Sequence, residues 1–137
     1  MGEAMSAPQD GKHGATYVVT LPAEVMSARR ARMVVAAQCA AWGLDGVSED
    51  ASLIVSELVS NAVQHAGTLI QLTLCAFPGF LRLEVSDQST RPLRRPTPTA
   101  LTDGGRGLLL VDSLPGHYGV EGRPDGKTVW AELMLVD

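Results

Sequence analysis

The chain predicts an α+β fold: a two-layer α/β sandwich whose mixed, mostly antiparallel sheet is covered on one face by about three helices. Three observations carry this expectation. Two early segments repeat their apolar residues at helical spacing, Glu24 to Trp42 and the run that follows Ser48. The downstream strand-like runs are joined by short turns at Pro78-Gly79 and at GRPDG, which tie neighbours into antiparallel pairs. The full length, 137 residues, suits one domain able to bury roughly two thirds of its unfolded surface.

In order along the chain, residues 1–14 mix Gly, Pro, Gln, Asp and Lys without a period and read as a flexible tail, leaving 15–137 as the single domain. TYVVTLP, Thr16 to Pro22, is a β-branched run stopped by proline, a first strand. From Glu24 to Trp42, Val25, Ala28, Met33, Ala36, Ala40 and Ala41 set an apolar helical stripe, and Gly43 supplies a stop. Ser48 followed by Glu49 and Asp50 matches the cap and early acids of a second helix, which Gly67 ends.

Two strands follow, Thr68 to Phe77 and Phe80 to Ser86. In the second, Leu81, Leu83 and Val85 alternate with Arg82, Glu84 and Ser86, so one face is buried and one is wet. From about 88 to 103 the prolines, threonines and arginines of STRPLRRPTPTALTD keep no period; a loop of that length reads as a lid or binding segment. Gly104 to Gly107 then open a short helix, Leu108 to Leu114, before HYGVE and KTVWAELML close the chain as a hairpin.

Composition limits the function. Eleven basic against fifteen acidic residues give a net charge of −4, with the arginines scattered, which argues against a dedicated nucleic-acid binder. Cys39 and Cys75 have neither C-x-x-C nor zinc spacing and read as buried apolar thiols in a reducing compartment. The sequence shows no membrane-length apolar run and no signal peptide, so a cytoplasmic protein is expected. The start fits M-G-x-x-x-S, but no polybasic stretch accompanies this short myristoylation pattern.

The segment Ser56 to Gly67, SELVSNAVQHAG, carries the chemistry. Glu57, Asn61 and His65 stand four apart and share one helical face with Ser60 and Gln64. Ala51, Val55, Leu58, Ala62 and Ala66 form the opposite, apolar arc. Three further signals follow in order: Asp87 at a strand end in EVSDQS, the glycines of DGGRGLLLV, and Thr128 in GKTVWAEL. Gly105, Arg106, Gly107 and Leu108 would bring backbone amides close to an anion at a helix start.

This ordered set resembles the GHKL ATPase superfamily, with its Bergerat fold, from Thr16 to the C-terminus. Within it the chain is most similar to the bacterial anti-sigma-factor serine kinases and related stand-alone ATP-binding regulators. The resemblance implies ATP and Mg2+ as cofactors. It assigns Asn61 as magnesium ligand, a role suited to a hard oxygen donor. Glu57 becomes the general base, and Asp87 the acceptor for the adenine amine. Thr128 would bind the base directly or through water, and Ser89 with Gly105 to Leu108 would complete the nucleotide site.

Three departures from the superfamily pattern stand out. Gln64 replaces a common lysine or arginine, Gln88 replaces a frequent acid, and Ser89 replaces glycine as it does in the anti-sigma branch; weak nucleotide affinity is expected. The implied function is a protein serine kinase that phosphorylates an antagonist protein and binds a sigma factor, with a homodimer left open and with no direct nucleic-acid or membrane partner. A non-catalytic ATP-binding or partner-binding module is the alternative. A histidine-kinase fragment fits less well, since His13 falls in the tail and His117 near the end, neither in a dimerising helix before the core.

Overall fold

The computed structural model describes residues 4–8, 15–90 and 116–135. The elements run β1 (Ala4–Pro8), β2 (Ala15–Leu21), α1 (Met26–Ala41), α2 (Asp45–His65), β3 (Ile70–Phe77), β4 (Phe80–Asp87), β5 (Gly116–Arg123) and β6 (Gly126–Met134). The strands form one six-stranded sheet in the order β1-β2-β3-β4-β6-β5, every pairing antiparallel. The architecture is therefore the expected α+β sandwich, with an antiparallel rather than mixed sheet among the described residues. Two helices are described; the third, expected after the glycines at 104–107, lies outside the described residues.

Strand alternation divides the sheet into two chemically different faces. Val19, Leu21, Ile70, Leu72, Leu74, Leu81, Leu83, Val85, Val129, Ala131 and Leu133 point inward and are buried with the helices. The facing stripe of α2 is Ala51, Ile54, Val55, Leu58, Val59 and Ala62, wider than the predicted arc by Ile54 and Val59. At about 25 cal/mol per Å2 of buried apolar surface, this layer is the main source of stability. Outward lie Arg82, Glu84 and Glu132, with Arg82 bonded to both acids and stacked 4.5 Å over Trp130.

Four expectations need correction. The stretch expected to be a tail contains β1, which pairs with β2 from Ala4↔Val19 to Pro8↔Ala15; the edge of β2 supplies backbone partners that local propensity does not signal. In α1 the buried side is Ser27, Ala31, Val35 and Cys39, while Val25 and Met33 are 85% and 65% exposed. Small residues let α1 lie close on α2, and alanines spread round this helix blur its period. The second helix starts at Asp45, so Ser48 sits inside it rather than capping it. Cys39 is buried as expected, whereas Cys75 is only half-buried.

The helix ends follow the sequence. After α1, Leu44 N–H reaches Cys39 O at 2.7 Å and Gly43 N–H reaches Ala40 O at 3.3 Å, a Schellman motif with Gly43 at φ +72°. At the end of α2, Gly67 N–H bonds back to Ala62 O. The Pro78-Gly79 turn joins β3 to β4, and the Phe77 and Phe80 rings beside it stack at 4.7 Å. No described helix is long and apolar enough to cross a membrane.

Candidate functional site

The inward alternation of β4, Leu81, Leu83, Val85, ends on a carboxylate, Asp87, which is 4% exposed. Across the ladder Asp87 pairs with Lys127, the first inward residue of β6, itself 6% exposed. Lys127 Nζ lies 3.1 Å from Asp87 Oδ1, and the Ser89 backbone N–H donates to the same oxygen at 2.9 Å. A buried charge needs such partners to offset its lost hydration. Gly126 allows this close approach: a Cβ there would stand 2.0 Å from the Asp87 carbonyl oxygen.

Over this end of the sheet lies the last turn and a half of α2. Leu58, Asn61, Ala62 and His65 of the helix and Val85, Asp87, Lys127 and Val129 of the sheet enclose a cleft with an apolar floor and a polar rim. The space between them is about 10 Å³, room for about one water and less than a purine occupies. Glu57 lies one turn before Asn61 on the same helical face and is half-buried. Burial pushes its carboxyl above the ordinary value near 4.5, towards the range in which a carboxylate serves as a base.

The structure thus gathers Asn61, His65 and Asp87 at one cleft, brings in Ser89 through its backbone, and sets Glu57 one turn away. It does not bring Thr128 to that cleft. Thr128 pairs with Ser86, and alternation turns both to the face away from α1 and α2, where their hydroxyls meet at 2.7 Å and Arg123 Nη1 donates to Thr128 Oγ1 at 2.6 Å. Gly105, Arg106, Gly107 and Leu108, with the part of the expected lid from 91 onward, lie outside the described residues. Gln64 is exposed on α2 and Gln88 is exposed beyond β4.

Lys127 is the site residue that sequence reasoning missed. The signal was present: Val129, Ala131 and Leu133 set the inward period of β6, and two residues back from Val129 falls Lys127, not Thr128. On the face away from α1 and α2 a second depression is lined by Thr20, Gln71, Ser86, Gln88, Arg123 and Asp125 among others.

The donor set suits a nucleotide. A buried acceptor at the end of an apolar slot fits a base edge, and magnesium held mainly by phosphates needs only one or two protein oxygens, of which the Asn61 carboxamide can supply one. Among the described residues no cluster of three or more His, Cys, Asp or Glu side chains could hold a metal unaided.

Comparison with known proteins places these features in a family. Residues 21–133 match the histidine kinase-like ATPase domain. An uncharacterised protein of Streptomyces coelicolor is 35% identical, the match covering 57% of this chain and 79% of that protein. Among solved structures, the RsbU and RsbW domains of a Mycobacterium tuberculosis protein superpose with a TM-score of 0.65 at 22% identity, over 88% of this chain and 32% of that one. A blue-light-activated histidine kinase domain from Erythrobacter litoralis superposes with a TM-score of 0.51 at 28% identity, over 65% of this chain and 45% of that one. The chain spans less than half of either solved chain. With the family match spanning most of its length and the sandwich and cleft described above, this chain belongs to the histidine kinase-like ATPase domain family of GHKL type.

Proposed function

We propose that this protein is an ATP-binding regulator that acts as a serine kinase of the anti-sigma type, phosphorylating an antagonist protein and binding a sigma factor. The observation that carries the nucleotide reading is Asp87: a buried carboxylate at the end of an apolar slot, facing Asn61 and His65 of α2. Family membership implies ATP binding. The order of ELVSN, SD, GGRGL and GKTVW, and Ser89 after the acid, support the kinase branch.

Bound ATP with Mg2+ supplies a transferable phosphoryl group. Asp87 Oδ1 is already engaged by Lys127 and Ser89, and Oδ2 takes no part in either bond, so Oδ2 accepts from the adenine amine. Leu58, Ala62, Val85 and Val129 hold the ring away from water. Asn61 would present its carboxamide oxygen to the metal. Glu57, its affinity for protons raised by burial, takes the proton from the attacking serine hydroxyl, worth about a hundred- to ten-thousandfold in rate.

The test is to incubate the protein with γ-labelled ATP, magnesium and candidate partner proteins encoded beside it. Label on a partner serine is expected. ATP binding with no label on any partner would replace the kinase reading by the non-catalytic module, which the narrow cleft and uncharged Gln64 favour. Failure to bind ATP would contradict both.

A further inference from the structure

We propose that Lys127 selects adenine at this site, donating from its ammonium to ring nitrogen N1 while Asp87 accepts from the neighbouring exocyclic amine. The inference rests on the nucleotide reading above and adds to it the residue that sets base specificity. Lys127 and Asp87 stand opposite each other on β6 and β4, both turned into the cleft, with their charged ends 3.1 Å apart. Two such groups form a donor–acceptor pair of fixed order. The Watson–Crick edge of adenine carries the complementary order, an acceptor at N1 beside a donor at N6.

Guanine reverses that order, with an oxygen at C6 and a protonated N1. Turned to the same edge, it sets an acceptor against the carboxylate and a donor against the ammonium. Both contacts are then repulsive, and sites that leave buried polar groups unpaired reject such analogues strongly. Lys127 is held for this task on three sides. Its main chain is fixed in the β4–β6 ladder, Gly126 lets β6 approach the Asp87 carbonyl, and its ammonium is anchored on Oδ1. An ammonium has three protons, so the bond to Asp87 leaves others for the base.

Thr128, the residue expected from resemblance to serve the base, is on the other face with Ser86 and Arg123. Among the described residues, Asn61 and His65 are the remaining polar side chains with donors at the cleft, so the experiment separates Lys127 from them.

The experiment pairs a ligand change with a side-chain change. Calorimetric titration of the wild-type protein compares ATP with 1-deaza-ATP, in which N1 is replaced by C–H; the same pair is then titrated into Lys127→Met, which keeps the unbranched stem and removes the charge. Wild type is expected to bind 1-deaza-ATP roughly ten- to a hundredfold more weakly than ATP, the range for a charge-assisted hydrogen bond. The variant is expected to bind both ligands alike and to lose much of the preference for ATP over GTP. Equal affinity of wild type for ATP and 1-deaza-ATP overturns the proposal without need of any variant. A penalty that persists in Lys127→Met assigns N1 to His65, Asn61 or a water and overturns it too, as does tighter ATP binding by the variant, which would make Lys127 an obstacle. Should wild type bind no ATP, the nucleotide reading itself falls and takes the proposal with it.

Discussion

Lys127 and Asp87 form a buried ion pair across β4 and β6, 3.1 Å between Nζ and Oδ1, with side chains 7% and 3% exposed. Removing one member strands the other charge in the core, which costs about 3–5 kcal/mol, whereas removing both together costs far less. Asp87→Asn is therefore expected to unfold at markedly lower urea than wild type, and Asp87→Asn with Lys127→Met to recover part of the loss. Equal stability of the single and double variants would mean that the pair is not coupled in solution.

Gly126 and Gly43 both sit at positive φ, and at Gly126 a steric clash adds to the cost of a methyl group. At Gly43 the space is open, and only the left-handed backbone, φ +72°, resists a side chain, so Gly43→Ala is expected to cost about 1–2 kcal/mol. At Gly126 a Cβ meets the Asp87 carbonyl oxygen at 2.0 Å, a backbone atom that cannot swing away. Gly126→Ala is expected to cost about 2–4 kcal/mol and to part the β4–β6 ends. Denaturant midpoints for the two variants check the ranking.

Burial raises the Glu57 carboxyl above its ordinary 4.5. The unfolded chain therefore releases this proton at lower pH than the folded chain, and between the two values the folded state holds more protons. Stability contributed by this group is present below 4.5 and is lost as pH rises through the raised folded value. Glu57→Gln should melt above wild type at neutral pH, with the difference vanishing in acid, while phosphate transfer falls by about a hundred- to ten-thousandfold with ATP binding kept. Melting curves across pH and a transfer assay read the two effects separately.

On the sheet face away from α1 and α2, a Cβ at position 119 would come within 2.8 Å of Trp130 Cζ2. Gly119→Ala should push the indole from its place over Arg82 at a cost of about 1–3 kcal/mol. In a Trp42→Phe background, where Trp130 is the sole indole, a shift in its fluorescence maximum would report the displacement.

The sheet was legible where side chains alternate cleanly. Leu81, Leu83 and Val85 announce the buried face of β4, and one more step places Asp87 inward. On β6 the same rule selects Lys127, yet the motif resemblance drew attention to Thr128, one residue and one face away. In α2 the spacing of Glu57, Asn61 and His65 was enough to identify the polar stripe. In α1 it was not, because alanines on several sides leave Val35 and Met33 equally plausible as core, and only docking on α2 decides. β1 has no propensity signal; its pairing exists because β2 offers an unpaired edge.

The account stands on adenine lying between α2 and the inner face of the sheet. The most direct measurement is a set of intermolecular nuclear Overhauser contacts from the adenine H2 and H8 protons to methyl groups of the protein saturated with ATP and magnesium. Contacts to Leu58, Val85 and Val129, which line the cleft, are predicted. Contacts instead to the methyls of Thr20 and Thr128, on the side of the sheet away from the helices, would contradict it.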